Sequence, residues 1–186
     1  MSMSHIHVIR GTVALLVLVA LFHGIPARAQ YGKYLEAVYD ARSVQLDDGK
    51  VPYHSVGAAL SYCPDLFYPW PVYIQTGVNT LFSIKREGAN TPANYRFEIP
   101  LELTVQWDPS PFFTIGPFVG AYGALNLLVA PEDPSRFNTW QYGLMAGLSI
   151  YPSYFHIHVG YYHDMVPFNK NGTGLDGIRV GIGMIL

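Results

Sequence analysis

The sequence predicts an all-β fold, an eight-stranded antiparallel up-and-down transmembrane β-barrel. Three observations carry that expectation. Apolar and polar residues alternate in one segment after another, which is the period of a strand. Eight such segments, an even number, are separated by turn-rich breaks, with no helical period long enough to insert a helix. Glycines gather on the polar register of those segments, where a surface exposed to water would gain nothing from them.

The chain has 186 residues, the size of one domain, of which half are hydrophobic and 13 % are charged. A formal charge of −2 offers no basic surface for nucleic acid. The single cysteine, Cys63, cannot staple its own chain and is expected as a small packed residue rather than a nucleophile. Residues 1–29 read as a cleaved signal peptide. Arg10 is its positive n-region, Val13 to Phe22 its apolar run, and Ala27-Arg28-Ala29 its small-x-small cleavage site. Residues 30–186 are then the barrel, with the mature chain expected to begin at Gln30. No run of eighteen apolar residues follows, so a helical membrane protein is not expected.

Strands are expected at 33–43, 53–63, 71–85, 95–107, 112–127, 139–151, 154–165 and 176–186. The first carries Glu36, Asp40 and Arg42 on its polar register. In the third, Val72, Ile74, Val78 and Phe82 oppose Tyr73, Gln75, Gly77, Asn79 and Lys85. The fourth has the clearest split: Tyr95, Phe97, Ile99, Leu101, Leu103, Val105 and Trp107 against Arg96, Glu98, Pro100, Glu102, Thr104 and Gln106. The fifth carries Gly116 and Gly120 on the polar register, and the sixth Gly143 and Gly147 opposite Tyr142, Leu144 and Leu148. The seventh opposes Phe155, Ile157, Val159 and Tyr161 to His156, His158, Gly160 and Tyr162. The last opposes Ile178, Val180 and Ile182 to Arg179, Gly181 and Gly183. Breaks at 44–52, 86–94, 128–138 and 166–175 are long, whereas 108–111 and 152–153 are short; 64–70 is intermediate. Long connections at one end and tight turns at the other are the habit of outer-membrane barrels. The long loops are therefore expected outside, with both termini on the periplasmic side.

The choice of solvent decides which face is inside. An eight-stranded lumen is just wide enough for side chains, so glycines there leave room for Tyr, His, Arg and Glu. Trp70, Trp107, Phe112, Phe113, Tyr151 and Tyr154 lie beside the short connections, as an interfacial girdle would. The apolar faces are thus expected to meet lipid. The alternative is a soluble secreted barrel with its oily faces turned inward around a small apolar ligand.

The stretch YRFEIPLELTVQWDPSPFFTIGPFVGAYGALNLL resembles the central hairpin of the small bacterial outer membrane protein beta-barrel domain family, which includes the PorT-like proteins linked to secretion and gliding. The residues that carry the resemblance are Phe97-Glu98-Ile99-Pro100-Leu101, then Gly116-Pro117-Phe118-Val119-Gly120. The resemblance implies an eight-stranded meander over 31–186 in a bacterial outer membrane, and no particular activity. The chain departs from common outer-membrane barrels in ending on Leu186 rather than on an aromatic.

The candidate site is the lumen. Glu36, Asp40, Arg42, Lys85, Arg96, Glu98, Glu102 and Arg179 all fall on the polar register, and mixed charges in a narrow lumen should pair. A salt-bridged plug is expected rather than a pore. Arg179 is expected to bridge carboxylates, and Glu102 to be one partner whose loss would strand a cation. His156 and His158 have a spacing that could hold a metal, but no third ligand is placed by the sequence, so they are read as hydrogen-bonded lumen groups. No metal or cofactor is expected. A lipid-directed enzyme would draw on His54, Ser83 and Asp164 near the outer rim, but no Gly-x-Ser-x-Gly elbow is present, and a non-enzymatic role is expected. Expected partners are outer-membrane lipid and an envelope or secretion-system protein, met through the long loops.

Overall fold

The computed structural model describes residues 32–46, 49–64, 66–67, 70–83, 93–110, 112–129, 136–170 and 174–186. They form β1 (Gly32–Leu46), β2 (Gly49–Cys63), β3 (Val72–Ser83), β4 (Ala93–Val105), β5 (Trp107–Ser110), β6 (Phe113–Val129), β7 (Trp140–Pro152), β8 (Phe155–Asp164) and β9 (Asp176–Ile185). β5 continues β4 past an interruption at Gln106, and both pair with β6, so the segments make eight staves. All pairings are antiparallel; successive staves pair with each other, and the ladder between the first and last strands, β1 and β9, closes the ring. Closure leaves no open sheet edge.

Two connections are tighter than the sequence suggests. The break expected at 44–52 shrinks because β1 and β2 keep pairing through Val44↔Val51 to Leu46↔Gly49. Gly49 opens β2 with φ 124°, a conformation glycine takes without strain. At the other end the expected turn at 108–111 is partly strand, since Ser110 still pairs with Phe113. Between β7 and β8, Ser153 turns the chain with φ 58°, a left-handed conformation uncommon for a residue with a Cβ. The signal-peptide expectation, Gln30 and Lys85 lie outside the described residues.

The distribution of polarity is inverted relative to a water-soluble domain. Among the described residues, 23 polar and charged residues are buried against 18 hydrophobics, while 31 large hydrophobics are exposed. β4 shows the pattern residue by residue. Arg96, Glu98, Glu102 and Thr104 are at most 4 % exposed, whereas Phe97, Ile99, Leu101 and Leu103 are 40–65 % exposed. This is the reverse of a barrel with oily faces turned inward. Glycine makes the filled interior possible. A Cβ on Gly147 would stand 2.6 Å from Phe118 Cζ, and one on Gly143 would stand 2.5 Å from Tyr122 Cζ. Both rings therefore lie flat across neighbouring staves.

Candidate functional site

The inward residues of β1 give a section through the lumen. From the turn end to the loop end they are Tyr34, Glu36, Val38, Asp40, Arg42 and Val44, all buried. At the turn end, Tyr34 packs with Cys63, Tyr73 and Tyr151. Cys63 is thus a buried thiol in an aromatic layer, outside any disulfide. At the loop end, Val44 and Tyr53 pack with Phe137, Phe168 and Leu175, which the connections bring over the mouth. Those connections hold each other through Asn138 N–H to Phe168 O (2.9 Å) and Lys170 N–H to Arg136 O (2.9 Å).

Between these two layers lies a belt of three arginines and three carboxylates. Arg42 Nε donates to Asp40 at 2.9 Å, and its Nη atoms reach Glu98 and Asp164, each at 3.2 Å. Arg96 donates to Glu98 at 2.6 Å and to Asp164 at 2.8 Å. Arg179 bridges Asp40 at 2.8 Å and Glu98 at 2.5 Å. The guanidinium fork makes such two-carboxylate bridges possible. Arg179 on β9 and Glu98 on β4 are four staves apart in either direction, so this pair crosses the full width of the barrel. The remaining lone pairs are also used. Tyr122 donates its hydroxyl to Asp164 at 2.5 Å, Gln141 donates to Asp164 at 2.9 Å, and Arg96 also bonds Gln141 Oε1. Tyr162 lies under the belt with its ring centroid 4.1 Å from Arg179 Cζ, a cation–π contact. Three positive and three negative groups, mutually bonded and buried, meet the condition under which charges are tolerated out of water.

The sequence placed most of these residues in the lumen, and the structure corrects their pairing. Asp40, Arg42, Arg96, Glu98 and Arg179 belong to the belt. Glu36 does not; it pairs with His156 Nδ1 at 2.7 Å, one layer toward the turn end. Glu102 has no ion pair among the described residues, and its Oε2 is buried with no hydrogen-bond partner. The sequence leaves open which carboxylate Arg179 reaches; it bridges Glu98 and Asp40, and Glu102 lies two inward steps along β4 from Glu98. His158 bonds the Tyr162 hydroxyl at 3.0 Å and packs on Phe118. Asp164, the third carboxylate of the belt, was the residue that sequence reasoning misassigned. Its parity was the available signal: it shares the register of His156, His158 and Tyr162.

The set weighed for lipid chemistry is not brought together. His54 faces outward and bonds the Tyr39 hydroxyl at 2.9 Å. Ser83 faces inward and bonds Tyr53 at 2.6 Å, and Asp164 is locked in the belt. No group of three His, Cys, Asp or Glu side chains among the described residues is assembled for a metal ion.

A closed eight-stranded barrel with an apolar outer wall and a charge-filled interior has the architecture of a small transmembrane β-barrel. Among solved structures the chain is similar to Neisserial surface protein A (NspA). The TM-score is 0.50 at 15 % sequence identity, over 82 % of this chain and 94 % of that one. At that identity the likeness speaks for the fold. No protein-family model matches the chain, and no curated protein matches it, so the PorT-like resemblance rests on the hairpin residues alone.

Proposed function

We propose that the chain is a non-enzymatic bacterial outer-membrane barrel with a plugged lumen. It acts as an envelope scaffold, an adhesion element or a secretion-associated component through the connections at its loop end. The observation that carries this reading is the inverted wall. The outward residues of β4 from Tyr95 to Val105 span ten strand steps, ~33 Å of chain, or ~25 Å along the axis at a tilt of ~40°. That matches the ~25 Å apolar band of outer-membrane barrels. Exposed aromatics border it at both ends. Trp70, Trp107, Phe112 and Tyr154 lie toward the turns, and Tyr95, Trp140 and Tyr142 toward the loops. No helix among the described residues is long and apolar enough to cross a membrane, so strands are the crossing elements in this reading. Export by a signal peptide at 1–29, with the long loops outside, belongs to the same proposal.

A closed interior supports a role at the surfaces rather than in transport. Apolar layers lie above and below the belt, and an eight-stranded lumen has no width to spare for a channel. The test is behaviour in detergent. The purified protein should require detergent, show strand-dominated circular dichroism, and migrate differently before and after boiling on a denaturing gel. Full solubility without detergent, with unchanged migration, would overturn the reading.

A further inference from the structure

A hydrogen-bonded histidine and aspartate stand on the outer side of the wall. His163 on β8 and Asp176 on β9 are cross-strand partners. His163 Nδ1–H donates to Asp176 Oδ1 at 2.7 Å, since an ionised carboxylate can only accept. Their side chains are 52 % and 32 % exposed. On β7 the partner of His163 is Leu144. Trp140, in the loop-end girdle, lies four residues from Leu144, ~13 Å of chain or ~10 Å along the axis at a tilt of ~40°. The pair therefore sits below the girdle, at a depth where hydrocarbon offers a polar group no partner. Beside it the wall is hollowed. Val119 and Ala121 on β6, Leu144 and Ala146 on β7, and Tyr161 and His163 on β8 line an open groove, with Gly120 and Met145 between them. Pairing sets Val119 against Ala146, Ala121 against Leu144, and Ala146 against Tyr161. The short alanines thus stand between larger neighbours, and His163 lies at the loop-side end.

We propose that this groove holds one acyl chain of an outer-leaflet lipid, and that the His163–Asp176 pair hydrogen-bonds a hydroxyl carried on that chain near its head. The proposal rests on the reading of the wall as lipid-facing. The apolar lining takes the methylenes, and the pair sets the chemistry at the end. Nδ1 is engaged by Asp176, which leaves the Nε2 edge of the ring for the occupant. A hydroxyl suits that edge in either protonation state, because it donates to a neutral imidazole and accepts from an imidazolium. With Asp176 ionised the pair has no net positive charge, so it does not draw a phosphate. Its depth argues the same way. Headgroups lie at the level of the interfacial Trp and Tyr rings, whereas a hydroxyl on the chain itself reaches lower.

The experiment uses the protein in phosphatidylcholine nanodiscs with nitrogen-15-labelled histidine. Insertion is first verified by the folded gel form, so a failure of the membrane reading shows itself before any probe is added. Methyl 3-hydroxytetradecanoate should shift the His163 Nε2 resonance saturably. Native mass spectrometry, counting ester bound per protein, should find it held roughly 2- to 12-fold more tightly than methyl tetradecanoate, the worth of one neutral hydrogen bond. His163→Phe should fold and bind the two esters equally. Ala146→Phe, which fills the groove and leaves the pair intact, should bind neither saturably. Equal affinity of the wild-type protein for the two esters would overturn the proposal. So would a hydroxyl preference that survives in His163→Phe, or a His163 shift evoked by phosphatidic acid and not by the hydroxy ester.

Discussion

Removing the carboxylate of Glu98 should be the most damaging single change in the lumen. Glu98 is 0 % exposed and accepts from Arg42 at 3.2 Å, Arg96 at 2.6 Å and Arg179 at 2.5 Å. Glu98→Ala would leave three guanidinium groups facing two carboxylates, with one buried positive charge in excess. Breaking a buried pair by removing one partner costs ~3–5 kcal/mol, and three dependants place this case at the upper end of that range. Such a loss lowers the folding constant by roughly 100- to 4,000-fold, a large part of the ~5–15 kcal/mol that stabilises a typical domain. Glu98→Gln keeps the shape but turns an amide N–H toward at least one arginine, so most of the cost should remain. Glu102 makes no ion pair among the described residues and its Oε2 has no hydrogen-bond partner, so Glu102→Gln should cost less than ~1 kcal/mol. The assay is urea unfolding in detergent, followed by tryptophan emission and by the gel shift between folded and boiled forms. A Glu98→Ala midpoint indistinguishable from wild type would refute the belt as a stabilising unit. Equal losses in Glu98→Gln and Glu102→Gln would refute its selective pairing.

Ile99, 65 % exposed on the outer wall, offers a test of the solvent outside. Ile99→Arg should destabilise the barrel in lipid by ~2–4 kcal/mol if it sits near the bilayer midplane, and a soluble barrel would tolerate it. Gly147→Ala should cost ~1–3 kcal/mol by overpacking, since the new methyl would meet Val159 O at 2.2 Å and Phe118 Cζ at 2.6 Å; unchanged thermal stability would count against the filled lumen. Ser153→Gly should be neutral to stabilising, by up to ~1 kcal/mol, because it relieves a positive φ; clear destabilisation in the same unfolding assay would show that the hydroxyl matters more than the backbone. A tag inserted after Gly88 should be reachable on intact cells and one after Ser110 should not, and the reverse would invert the topology.

The fold was legible because a strand announces itself locally. Alternation along Tyr95–Trp107 names both faces of one stave without reference to any other, and the glycines on the polar register say which face must be filled. The identity of the lumen residues followed from parity alone. Their partners did not. Arg179 meets Glu98 four staves away, and that encounter depends on the register of every ladder between them, which no local pattern encodes. Asp164 was weighed only with His54 and Ser83 as a rim group for lipid chemistry, although it shares the register of His156, His158 and Tyr162. His163 in fact turns outward to bond Asp176 at 2.7 Å, while Asp164 turns into the belt. The first hairpin was drawn too short because Asp47-Asp48-Gly49-Lys50 reads as a polar loop, although Val44 and Val51 on either side keep the ladder going.

The central claim is that the wall meets lipid while the interior is shut by an electroneutral belt between two apolar layers. Planar-bilayer recording of the purified wild-type protein tests it most directly, with insertion verified by the folded gel form recovered from the same vesicles. Inserted protein is predicted to give no steady conductance at any applied voltage the bilayer tolerates. Stable, ion-selective steps from wild-type protein would show an open lumen and contradict the account.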